Sequence, residues 1–119
     1  MRRLALFVAA SVLVPLAAFG QTSDAARGKA AFMRYGCYSC HGTVGQGIAF
    51  AGPRIAPGPP AWSVVSAYVR KPGGQMPSFD AKVLPEQDLA DIYAYLKAIP
   101  QTRPASQIPA LSGINTTPR

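Results

Sequence analysis

An all-α fold is predicted on two observations. Apolar residues recur at helical spacings in three segments, and the stretches between them are so rich in glycine and proline that neither the helical nor the strand period survives. A chain of 119 residues is expected to form one domain, and 49% hydrophobic against 14% charged residues describes a folded module rather than a disordered chain.

The first twenty residues, MRRLALFVAASVLVPLAAFG, begin with two arginines, continue in an apolar run and end on small residues around Phe19. This is the pattern of an export signal; the run is at the short limit for a membrane span and Pro15 interrupts it. The expected organisation is a signal peptide at 1–20, a domain at 21–99 and a Pro-rich flexible tail at 100–119. Without the signal, ten basic residues face five acidic ones, a net charge of +5. No dense basic run or interleaved aromatic pattern suggests nucleic acid, so the expected partner presents an acidic protein surface. Membrane attachment would require the signal to stay uncleaved.

Residues 24–35, DAARGKAAFMRY, place Gly28, Phe32 and Tyr35 on one helical face, with Ser23 as a candidate N-cap and Gly36 as the stop. A glycine inside a helix costs stability unless another element approaches closely, so Gly28 marks a candidate helix crossing. Residues 42–60 are a long Gly/Pro-rich loop, of a length that in a small domain is functional or disordered. The segment AWSVVSAYVRK aligns Trp62, Val65 and Val69 after Pro59 and Pro60 and is read as helix, its β-branched content leaving a strand open. PGGQMPSF at 72–79 is irregular. The clearest helix lies in LPEQDLADIYAYLKAIP: Glu86 and Asp88 are near its positive end, Leu89, Ile92, Leu96 and Ile99 form its stripe, and Pro100 stops it.

Both cysteines and the single histidine fall within five positions, in YGCYSCHG at 35–42. A disulfide between Cys37 and Cys40 would close too small a loop to stabilise much. A thioredoxin-like pair would need a βαβ setting, of which there is no trace, and zinc would need further ligands. Cys-x-x-Cys-His is the attachment motif of c-type haem, its thiols adding to two porphyrin vinyl groups and its imidazole coordinating iron. One helical turn separates Cys37 from Cys40, so both sulfurs can reach neighbouring vinyls. Of the three methionines, Met1 leaves with the signal and Met33 is too near Cys37 in sequence. Met76, 35 residues past His41 in an irregular segment, is the expected second axial ligand. The predicted iron ligands are therefore His41 and Met76, on one covalent haem c.

With these residues in view, the chain resembles the small monohaem class I cytochromes c over residues 24–99, through Gly28 and Phe32, CYSCH, GPRI at 52–55, MPSF, and Tyr95-Leu96. The resemblance implies a cytochrome c fold, with three or more short helices around the haem and long Gly/Pro-rich loops. It implies that Gly28 and Phe32 meet Ile92 and Tyr95 where the terminal helices cross, and that the Pro53 carbonyl accepts a hydrogen bond from the far nitrogen of His41. Arg54, Trp62, Tyr68 and Arg70 are candidates for the haem propionates. The proline-rich tail and the absence of a lysine ring depart from the family pattern.

Two axial ligands suit one-electron transfer rather than enzymatic turnover, and the export signal makes the bacterial periplasm the expected location. Alternatives are a haem subunit bound tightly to a periplasmic dehydrogenase, a haem peroxidase or sensor if the Met76 bond is labile, and a thiol-disulfide redox protein. Redox protein partners are expected, for a monomer or for a subunit of such a complex.

Overall fold

The computed structural model describes residues 23–104 and 107–111. Among these residues there are four α-helices, α1 (Ala25–Arg34), α2 (Tyr38–His41), α3 (Trp62–Arg70) and α4 (Glu86–Ala98), a 3-10 turn at Pro109–Leu111, and no strand beyond one isolated bridge between Ile48 and Gly52. The all-α expectation holds, and the segment at 62–70 is helix rather than strand. The proposed signal, residues 1–20, lies outside the described residues. No helix among the described residues is long and apolar enough to cross a membrane.

The cap of α1 is Asp24, not Ser23. Its backbone is extended and its carboxylate accepts from the Arg27 N–H at 2.8 Å, satisfying one of the donors that a helix leaves open at its start. At the other end Gly36, at φ 76°, turns the chain out of the helix and into the cysteine segment.

Helix α1 buries Gly28, Ala31 and Phe32 against Leu89, Ile92, Tyr95 and Leu96 of α4. The close approach is at Gly28, where a Cβ would run into the Asp91 carbonyl and the Tyr95 Cβ. The rings of Phe32 and Tyr95 then pack tilted, 5.7 Å between centroids. Burying Phe32, 1% exposed, contributes about 2–3 kcal/mol relative to leaving it in water.

A polar contact locks the same crossing. Asp91, 2% exposed, accepts from the Asp24 N–H at 2.7 Å, from Arg27 Nε at 2.9 Å and from Gln87 at 3.0 Å. The bond from Arg27 holds its carboxyl below the usual carboxylate range, against the opposing pull of burial.

Helix α3 is built differently: none of its residues is buried. It is tied to α4 by Trp62, whose ring lies 5.4 Å from that of Tyr93, while the Tyr93 hydroxyl donates to the Pro60 carbonyl at 3.1 Å. Trp62 and Val69 reach the core from its edge, and Val64, Val65, Tyr68 and Val69 line a cavity.

Candidate cofactor site

Cys37 opens α2 as its N-cap residue, and the Ser39 hydroxyl bonds the Gly36 carbonyl at 2.7 Å, steadying this one-turn helix. The His41 N–H donates to the Cys37 carbonyl at 3.0 Å, so Cys37, Cys40 and His41 are gathered on a single helical turn. The two cysteines are not bridged to each other. Burial pushes the Cys37 thiol up to about 11, the reverse of the activation that thiol-disulfide exchange requires.

His41 is 9% exposed, and its Nδ1 lies 2.8 Å from the Pro53 carbonyl oxygen. A carbonyl only accepts, so Nδ1 carries the proton in this bond, and in the neutral ring Nε2 is the nitrogen with the lone pair. Pro53 is held there by the preceding loop. Gly52 lies so close to Cys40 that a Cβ would come within 2.8 Å of its carbonyl oxygen, and the Gly47 N–H donates to the His41 carbonyl at 2.7 Å. Further along, the Gly45 carbonyl accepts from both Ile55 and Ala56, and the Tyr95 hydroxyl donates to Thr43 at 2.8 Å. The Gly/Pro-rich loop is thus fastened to α2 and α4 by its own backbone.

Two adjoining cavities face this turn. One, of about 270 Å³, has Phe32, Val65, Val69, Leu89, Ile92 and Leu96 among its walls; the other, of about 660 Å³, is bordered by Tyr35, Cys40, Gly52, Pro53 and Gln75. Cys37, His41, Tyr68, Met76 and Phe79 line both. The larger volume falls in the range of pockets that hold cofactor-sized molecules, about 300–1,000 Å³. Among the described residues no three of His, Cys, Asp and Glu converge on a point that would chelate a single ion. Two thiols, an imidazole nitrogen and a thioether instead border a mostly apolar slot, a donor set that fits a flat iron macrocycle.

Cys37, Cys40, His41, Met76 and Pro53 therefore all border the slot. Of the four propionate candidates only Tyr68 does, its hydroxyl donating to the Gly73 carbonyl at 3.3 Å. Trp62 packs on Tyr93, and the Arg70 guanidinium is engaged by the Phe79 and Leu84 carbonyls and by Glu86.

Sequence reasoning missed Asp91, because an acid beside Ile92 reads as the exposed flank of a helix; Arg27 and Gly28, one turn into α1, are the only hint of its partner. It also missed Phe50, at the rim of the larger cavity, fully exposed and at φ 66°. That conformation is uncommon for a bulky residue and has no signature in a loop of glycines.

The family model described as "Cytochrome C oxidase, cbb3-type, subunit III" matches residues 23–96. No curated protein and no solved structure matches the chain significantly.

Proposed function

This chain belongs to the c-type cytochrome family whose model it matches and has the all-α cytochrome c fold, and we propose that it is a periplasmic one-electron carrier with His/Met axial ligation. The family implies haem-based electron transfer and redox partners. What carries the finer reading is the convergence on one slot of Cys37, Cys40, Met76 and a His41 ring whose Nε2 is left free by Pro53.

Cys37 and Cys40 would hold one haem through thioether bonds, and His41 Nε2 and the Met76 sulfur would be the two axial ligands. Bound in this way, the haem supplies an iron that alternates between the ferric and ferrous states. The Pro53 carbonyl fixes the His41 tautomer and raises the donor strength of Nε2. Phe32, Val65, Leu89, Ile92 and Leu96 exclude water and, with the soft thioether, favour the lower charge of the ferrous state, giving a fairly high potential. The basic character of the chain supports a partner with an acidic face. The pattern of residues 1–20 supports export to the periplasm, with residues 21–99 as the haem domain.

The test is a pyridine haemochrome spectrum of the matured protein together with the Met76→Ala variant. Covalent haem is expected, with a lowered midpoint potential and new carbon monoxide binding in the variant. A colourless protein would refute the haem reading, and an unchanged potential and spectrum would refute Met76 as ligand.

A further inference from the structure

The segment that carries Met76 has no helix or strand of its own, so something else must hold it. Asp80 makes a local turn by accepting from the Lys82 and Val83 N–H groups at 2.7 and 3.0 Å. Across the loop the Phe79 N–H donates to the Val69 carbonyl of α3 at 3.1 Å. The remaining ties converge on one side chain.

Arg70 Nη1 donates to the Phe79 carbonyl at 2.9 Å and to the Leu84 carbonyl at 2.7 Å, while Nη2 pairs with Glu86 at 2.7 Å. A single guanidinium therefore joins the last turn of α3, the loop just after Met76, the far end of that loop and the first turn of α4. The Arg70 side chain is only 22% exposed, and its charge-assisted bonds to the Phe79 and Leu84 carbonyls are partly buried, whereas the pair with Glu86, 64% exposed, is open to water and adds less. A lysine could not reproduce them, because its one ammonium lacks the planar fork that reaches three separated acceptors. Arg70 borders neither cavity, so it acts through the loop rather than on the slot.

We infer that Arg70 is the positioning residue that holds the Met76 loop in place and keeps the thioether on the iron; this rests on the reading of Met76 as the axial ligand. Without the guanidinium the loop opens more often than the domain unfolds, and each opening uncovers the iron to a small ligand.

The experiment compares the full-length holoprotein with its Arg70→Met, Arg70→Lys and Met76→Ala variants. Two quantities are followed: the rate of cyanide binding to the ferric protein, and the temperature at which the near-infrared sulfur-to-iron absorption disappears relative to the helical circular dichroism. Losing charge-assisted bonds of about 1.5–3 kcal/mol should speed cyanide binding roughly tenfold to a hundredfold in Arg70→Met. Arg70→Lys should be intermediate, and in both variants the sulfur band should melt below the helices while the haem stays covalent. Wild-type cyanide rates with coincident melting in both variants would overturn the inference. Met76→Ala retaining the sulfur band would instead overturn the ligand assignment, and the inference with it. Should Arg70→Met fail to accumulate as holoprotein, Arg70→Lys decides by the same two measurements.

Discussion

Where α1 crosses α4 the chain is packed to contact, whereas around α3 and the loop after it the same chain leaves a slot. On the first side Gly28 lets two backbones touch, Phe32 packs on Tyr95, and buried Asp91 has its hydrogen bonds met by Asp24, Arg27 and Gln87. On the second, α3 buries none of its residues, and Val65 and Val69 face open volume. The difference teaches that side chains finish one half of this small domain's core and leave a slot in the other, which on the proposed reading the group held by the cysteines would fill. A group that binds only the folded chain would add its binding free energy to the stability of this core.

The comparison breaks most decisively at the cysteines. Replacing both Cys37 and Cys40 by Ser should leave haem that acidified organic solvent extracts, and should lower the stability of the purified protein by more than about 4 kcal/mol. Amide exchange should show protection lost first in α3 and the following loop, with α1 and α4 last; covalently retained haem, or uniform loss, would sink the division proposed above.

Next in size, Gly28→Ala forces a Cβ into the Asp91 carbonyl and should cost about 3 kcal/mol, read from the urea midpoint of the holoprotein. A cost below about 0.5 kcal/mol would mean that the crossing is looser than described.

Asp91→Asn should cost about 2 kcal/mol near neutral pH by weakening the bonds from Arg27 and Asp24. The bond from Arg27 depresses the folded-state value of this carboxyl, so its stabilisation is fully present above the unfolded value of about 4 and is lost as pH falls through the folded one. Wild type and variant should therefore converge in stability on acidification below about pH 4, and a gap that stays constant to pH 2 would contradict this account.

The smallest effect is expected where the two halves meet. Tyr95→Phe removes the bond to the Thr43 carbonyl and should cost about 1 kcal/mol, with the loop after His41 showing faster amide exchange than α1. Equal acceleration in both regions would show that this hydroxyl does not tie the loop to α4 specifically.

What the sequence by itself determined is everything carried by local pattern. The apolar stripes at 28–32 and 89–96, the prolines at 59, 60, 85 and 100, and the Cys-x-x-Cys-His spacing all act through neighbours along the chain. The helices and the identity of the reactive groups were therefore legible, as was the irregular setting of Met76. Even the crossing at Gly28 was visible, because a glycine in a helix interior asks for a reason.

What only the tertiary structure decided are the pairings between segments far apart. The Asp91 cluster joins residues more than sixty positions apart, and nothing around Asp91 marks it as buried until Gly28 brings α1 against it. Arg70, read from sequence as a candidate for the propionates, is committed instead to Phe79, Leu84 and Glu86. An arginine's charge is written in the sequence, but its partners are whichever acceptors the folded backbone presents. The slot itself has no sequence signal, since a cavity is the space that separate elements fail to fill.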